Sequence, residues 1–356
     1  MSRQGIRTVM VLELRQRVRS TRWWVMLLVW ALVLVVLFVG MTGLSVSAGM
    51  EREEFAPGLY DVVLCFVLGI GLIVAPTLSA TSINGDRADA TLALLQATAL
   101  RSQEIAVGKL LAAWAAAMAF LAVALPFLLI LTAVGGATLL ALLGHLLLLV
   151  FTLGSVCGIG LGFSALTART SASAVLTYLL VAALTVGTPM ATAIATPIVQ
   201  ERQERITYSI DYDASTDDEL VCREDPYRYH TTVTHAERIW WMLVPNPFVA
   251  LGDVSARAPL NRYHSESLLE GLGRGIDEMR DPQSSGTTVS NPCAEQSDDR
   301  DDSIYENSRD ESEAGHVAFW PATAALLLLL GAGGAWVAAR RLRVPAGPLP
   351  RGIRLA

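Results

Sequence analysis

Six apolar runs, each about 20 residues long, decide what this chain can fold into. A helix rises about 1.5 Å per residue and the hydrocarbon core of a bilayer is about 30 Å thick, so a run of that length can cross a membrane. Composition points the same way: 53% of the 356 residues are hydrophobic and only 17% are charged, too apolar a balance for a soluble domain of this size. The expected fold is an all-α membrane protein with six transmembrane helices, at about residues 23–44, 59–80, 110–134, 139–165, 172–195 and 317–339. The first run is too long for the apolar region of a signal peptide. Six arginines precede it and no clear small-residue cleavage site follows, so it reads as a retained span.

Charge fixes the expected orientation. Residues 198–316 hold 25 acidic and 11 basic residues, a net of −14, which leaves 8 acidic and 16 basic residues, a net of +8, for the remainder. With both termini cytoplasmic, the N-terminal arginines, Arg87, Arg101, Lys109, Arg169 and the C-terminal arginines fall on one side and the acidic stretch on the other, as the positive-inside rule requires. The expected organisation is therefore a cytoplasmic interfacial helix at 1–22 and five spans within 23–196, with a cytoplasmic segment at 81–109. An extracytoplasmic acidic insertion follows at 197–316, then a sixth span at 317–339 and a cytoplasmic tail at 340–356.

Local features refine that outline. Ile6, Met10, Leu14 and Val18 form an i, i+4 apolar row among the N-terminal arginines, which predicts an amphipathic helix on the membrane surface. Gly135-Gly136 predicts a tight turn between the third and fourth spans. Gly154, Gly158 and Gly162 form a GxxxGxxxG row that predicts a helix-packing seam, and a sliding interface would need the same residues. Residues 239–251, broken by Pro245 and Pro247, are too short to span. They read either as short helices at the outer interface, with Trp240 and Trp241 at headgroup depth, or as the small core of the outer domain. Residues 281–315 read as a solvated tract. Cys222 and Cys293 share the insertion and could pair there, whereas Cys65 and Cys157 lie in apolar runs.

Most catalytic chemistry has no residues to carry it. Gly108-Lys109 lacks a surrounding GxxxxGK[ST], and there is no HExxH, GxSxG or CxxC, so neither triphosphate cradling nor the usual hydrolytic and metal chemistries are expected. The spans are almost free of ionisable side chains, which disfavours an ion-coupled carrier. Asp61 reads as a membrane-interface residue. His145 reads either as a histidine satisfied by a neighbouring helix or as a substrate contact. His230, His235, His264 and His316 are too irregularly spaced to suggest a metal site. No nucleic-acid partner is expected.

The polar stretch between the second and third spans carries a resemblance. Its pattern runs Pro76, Ala80, Ile83, Gly85-Asp86-Arg87, Ala90-Thr91-Leu92, Leu94-Leu95, Thr98, Leu100, Ile105 and Gly108-Lys109. This resembles the segment after the second span of ABC-type-2 transporter permeases, with Asp86 where that family usually has Glu and Ala90 in place of a frequent Gly. The stretch from Glu13 to Arg19 followed by Trp23-Trp24 is similar to the family's surface helix, and Asn246-Pro247-Phe248 to its short helices between the fifth and sixth spans. The resemblance implies a permease subunit of an ATP-binding cassette exporter in the plasma membrane. It would bind no cofactor itself, work with a second permease copy or a similar permease, and be driven by a separate ATPase subunit that binds ATP and Mg. Gly85, Asp86, Arg87, Thr91, Leu92, Leu94 and Leu95 would be the ATPase-coupling contacts: Gly85 permitting a turn, Asp86 stabilising a helix start, the leucines facing the partner, and Lys109 marking re-entry at headgroup level. The alternative from another class is a non-transporting sensor or scaffold whose acidic outer domain binds a ligand or partner.

Overall fold

The computed structural model describes residues 2–89, 100–211, 222–223, 225–258, 267–283, 287–290 and 316–343. It is mostly helical, and six helical stretches are long and apolar enough to cross a membrane: Thr21–Ser47, Glu54–Ala88, Ser102–Ala133, Leu139–Leu166, Thr170–Val199 and Trp320–Arg341. Each overlaps one of the expected runs and overshoots it by a few residues at one or both ends. Hydropathy registers only the apolar stretch, whereas helical hydrogen bonding continues into the polar flanks until a cap stops it.

The chain divides into two compact units. The larger comprises Met1–Gly187, Val244–Gly273 and Ala318–Ala356. Its helices in chain order are α1 (Arg3–Val18), α2 (Thr21–Ser47), α3 (Arg52–Ser79), α4 (Ser82–Ala88), α5 (Ser102–Ala133), α6 (Leu139–Leu166), α7 (Thr170–Ala182), α9 (Pro247–Ala256), the start of α10 (Leu268–Glu278) and α11 (Trp320–Arg341). The central element is α6, with Leu142, Leu148, Leu149, Leu153, Val156 and Leu161 buried. Around it α3 contributes Val63, Leu64 and Leu68, and α5 contributes Ala113, Ala117, Ala124 and Leu128. On α2, Trp30 is buried, stacks on Phe66 and donates its indole N–H to Phe120 O at 3.0 Å. The rest of that helix leaves Leu28, Leu32 and Val36 exposed, as a lipid-facing surface does.

Small residues set the closest approach. A Cβ on Gly158 would lie 2.4 Å from Gly331 O, and one on Gly162 would lie 2.6 Å from Gly334 Cα, so α6 and α11 touch backbone to backbone. Two members of the predicted seam are thus paired with glycines of the sixth span. Gly154 instead faces the Trp114 indole of α5, at 3.0 Å from its would-be Cβ. The predicted turn between α5 and α6 is present: Gly135 has φ +99°, and Gly136 N donates to Leu131 O at 2.8 Å.

The 239–251 stretch resolves into two parts. Residues up to Leu243 belong to the smaller unit, whereas Val244–Gly273 belongs to the membrane unit, where α9 is buried along almost its whole length. Asn246 caps α9, accepting from Phe248 N at 2.9 Å, and its amide donates to Thr185 O in the π-helical turn Ala183–Gly187 that follows α7. Two carboxylates cap the neighbouring helices. Asp253 Oδ2 accepts from Phe319 N and Trp320 N, at 2.8 and 2.9 Å, where α11 begins, and Asp61 Oδ2 accepts from Leu269 N at 2.7 Å where α10 begins. Asp61, expected at a membrane interface, is therefore buried with a backbone partner.

The smaller unit is Thr188–Leu243 with Arg274–Val317. It opens with α8 (Thr188–Ala195) and, against the all-α expectation, contains a three-stranded sheet in the order β2-β1-β3. Strands β1 (Gln200–Thr207) and β2 (Tyr227–Thr234) are antiparallel, with Gln200 opposite Thr234 and Thr207 opposite Tyr227, and β3 (Thr288–Ser290) is parallel to β1. Strand β1 is polar or charged at every position but Ile206, and in β2 only Tyr227, Tyr229 and Val233 alternate with polar residues, too few apolar positions to mark a sheet in sequence. Trp240 lies under the Arg280 guanidinium at 4.6 Å, and Trp241 is exposed. Cys293, His264 and most of the 281–315 tract lie outside the described residues.

Candidate functional site

The polar groups of the membrane unit gather where α1, α4, α5 and the α6–α7 connection meet. The chain reaches this place because α3 does not run straight into α4. Helix α3 ends at Ser79, Thr81 caps α4 without a side-chain bond, and the break leaves amides and a carbonyl needing partners. Other helices supply them. Ser164 Oγ of α6 accepts from Ile83 N and Asn84 N at 3.0 and 3.1 Å, acting as an N-cap provided from another element. Ser173 Oγ of α7 donates to Ala80 O at 2.5 Å. The Asn84 amide, buried at 1% exposure, donates to Thr167 Oγ1 and Ser173 Oγ, both at 3.1 Å. The helix leaving the second span is thereby fixed to α6 and α7.

A second set of contacts fixes it to α1 and α5. Lys109, in the first third of α5, has a fully buried side chain. Its ammonium pairs with Glu13 of α1 and with Asp86 of α4, the latter at 2.6 Å, and also donates to Ser82 O at 3.2 Å. Three donors meet three acceptors, which is the full capacity of an ammonium. A lysine buried without such partners would lose its charge, so the two carboxylates are a condition of its position.

Helix α1 is tied down along its length. Ser2 N donates to Glu104 Oε1 at 2.5 Å, while the other oxygen of that carboxylate caps α5 by accepting from Arg101 N. Val9 fits over Gly108, where a Cβ would come within 2.7 Å of it, and Arg17 Nη2 donates to Leu78 O of α3 at 2.8 Å. The row that packs is Gly5, Val9, Glu13 and Arg17, one position ahead of the expected row Ile6, Met10, Leu14 and Val18, whose last member is exposed. Periodicity located a face, but the docked face is defined by a small residue and two charges, which a search for apolar residues passes over.

The sequence-predicted residues divide accordingly. Gly85 lies inside α4, has no positive φ and has nothing within 4 Å of a would-be Cβ, so it makes no turn. Asp86 sits past the middle of α4 and points inward to Lys109, so it does not stabilise the helix start. Lys109, expected to mark re-entry at headgroup level, has its side chain buried against partners within the bundle. Arg87 Nη1 lies 3.4 Å from Thr167 O. Thr91, Leu92, Leu94 and Leu95 lie outside the described residues. Sequence reasoning missed Glu13, Asn84, Glu104, Ser164 and Ser173 as members of the site. Two signals were present: Lys109 interrupts an apolar helix in which its i±3 and i±4 neighbours are mostly alanine, and Glu13 is the only acid among the first 22 residues.

A second polar cluster lies at the far end of α6. His145 Nδ1 is 3.0 Å from the Tyr60 hydroxyl, and its Nε2 is 3.2 Å from Leu251 O and 3.1 Å from Ser255 Oγ. Both ring nitrogens are used, so the histidine is satisfied by α3 and α9. In the smaller unit, His235 Nδ1 is 2.8 Å from Glu237, and His316 lies between Asp277 and Asp281.

Comparison with known proteins gives the geometry a family. No curated protein and no solved structure matches the chain. A family model described as ABC-2 family transporter protein matches residues 7–218, which takes in most of α1, the first five spans, Lys109 and both carboxylates that hold it. With more than half of the chain matched, this protein, with six described helices able to cross a membrane, belongs to the ABC-2 transporter family, the membrane permease subunits of ABC transporters.

Proposed function

We propose that the protein is the permease of an exporter in the plasma membrane, with both termini cytoplasmic, and that a separate ATPase subunit drives it by pressing on the segment at 81–109. That subunit binds ATP and Mg; a second permease copy, or a similar permease, completes the pathway. The observation that carries this reading is the Lys109 cluster. A force applied at the end of α4 acts at once on α1 through Glu13 and on α5 through Lys109 itself, and on α6 and α7 through Ser164 and Asn84. A segment fixed to four helices by directional contacts moves them together, whereas a loop resting on lipid would not.

The division of labour within the segment differs from the one its motif implies. Asp86 serves as a positioning residue, so the partner-facing role falls to Arg87 and to the Thr91, Leu92, Leu94 and Leu95 face. The low number of ionisable groups in the spans, and the full use of Asp61, His145 and Lys109 in internal bonds, favour an apolar cargo over a small ion. The test is reconstitution with the cognate ATPase. Arg87→Glu and Leu94→Asp should abolish stimulation of ATP hydrolysis while leaving membrane insertion unchanged; normal stimulation in both would refute the coupling role.

A further inference from the structure

We propose that the face of α1 turned away from the bundle is a binding surface for anionic phospholipid headgroups. Arg7, Arg15 and Arg19 lie on it, all exposed, and none of them forms an ion pair among the described residues. The only carboxylate of α1, Glu13, is on the opposite side and is used by Lys109. At 100° per residue the three arginines share one arc of the helix with Leu12 and Val18, which are 45% and 47% exposed. Immediately beyond, where the chain enters α2, Trp24 is 58% exposed and its indole donates to Val18 O at 2.9 Å.

This combination selects the occupant. Cations alone would suit an acidic protein surface as well as a membrane, but cations interleaved with exposed leucine and valine, and followed by a tryptophan at the start of a span, suit the boundary between phosphates and acyl chains. Helix α1 cannot meet that boundary with its other face, because Gly5, Val9, Glu13 and Arg17 are committed to α3 and α5. The surface therefore lies on the same helix as Glu13, one member of the Lys109 cluster. A headgroup bound on one side bears directly on the position of Glu13 on the other.

The inference rests on the reading of the chain as a membrane permease, and its lipid measurement needs no ATPase. The full-length protein is reconstituted in phosphatidylcholine, and the fraction of motionally restricted spin-labelled phosphatidylglycerol is compared with that of spin-labelled phosphatidylcholine. A selectivity of about fivefold or more for the anionic lipid is expected, from the attraction of each exposed arginine to an anionic surface. It should fall to near unity in about 1 M salt, where the screening length is about 3 Å. The triple variant Arg7→Gln, Arg15→Gln, Arg19→Gln should lose the selectivity, and the corresponding triple lysine variant should retain it. Equal affinity of the wild-type protein for the two lipids overturns the proposal, and so does selectivity that survives in the glutamine variant. If that variant keeps its lipid selectivity and instead fails to retain the ATPase, the face docks a protein and the lipid assignment is wrong. Loss of ATPase coupling in Leu94→Asp would leave the lipid result unchanged, so the two readings fail separately.

Discussion

The Lys109 ammonium lies 2.6 Å from the Asp86 carboxylate, across 23 positions of sequence that include most of the polar segment between the second and third spans. The contact closes that segment at its base. It also makes the lysine dependent on two acids from different helices, since Glu13 reaches it from α1.

Removing the cation should therefore cost more than removing either anion. Lys109→Met leaves the half-covered Glu13 and Asp86 carboxylates facing each other without their shared cation, and breaking a pair whose cation is buried costs up to about 3–5 kcal/mol. Asp86→Asn should cost less, because Glu13 still balances the charge. The triple variant Lys109→Met, Glu13→Gln, Asp86→Asn should recover much of the loss. Unfolding in mixed detergent micelles measures all three; equal stability of Lys109→Met and wild type would remove the cluster from the account.

Ser164→Ala tests the cap provided across helices. It leaves the Ile83 and Asn84 amides without their acceptor and should destabilise by about 1–2 kcal/mol, as loss of an N-cap does. Hydrogen exchange should rise selectively at these two amides. Unchanged exchange there would mean that the amides have found another acceptor.

Two glycines in helices should respond oppositely to alanine. At Gly158 the new methyl meets the Gly331 backbone at 2.4 Å, and overpacking of this kind costs about 1–3 kcal/mol. At Gly85 nothing lies within 4 Å, so alanine should stabilise by up to about 1 kcal/mol through helix propensity. Thermal unfolding of the two variants checks both signs, and a destabilising Gly85→Ala would restore the turn that the motif suggests.

Asp253→Ala should loosen the start of the sixth span. It removes the acceptor for Phe319 N and Trp320 N and the partner of Arg257, whose Nε is 2.9 Å from Asp253 Oδ1. A loss of about 2–4 kcal/mol is expected, since one buried amide, one part-buried amide and a guanidinium lose a shared buried anion. Protease accessibility near residue 319 should increase in step.

The six spans, the turn at Gly135 and the glycine seam were legible in the sequence because each depends on a local property: run length, a positive φ, a missing side chain. The partners of the seam were not, since Gly331 and Gly334 are more than 170 residues from Gly158 and Gly162 and no periodicity joins them. The sheet was hidden for a related reason. Strand β1 has a single strongly apolar residue, Ile206, and its pairing with β2 is set by backbone hydrogen bonds between positions 34 residues apart at one end of the ladder, Gln200 with Thr234, and 20 apart at the other, Thr207 with Tyr227, not by composition.

Residue types and their order determined that the chain has six stretches long and apolar enough to cross a membrane, that its charges separate along the sequence, and that the segment from Pro76 to Lys109 resembles a family pattern. What each charge of that segment does was decided only by tertiary structure. Asp86, Lys109 and Glu13 each read alone as a surface residue beside a membrane, because an ionised side chain is most stable in water. They become one cluster, with the lysine side chain fully buried and the two carboxylates half-covered, only where three helices bring opposite charges within 3 Å and supply polar partners in place of water.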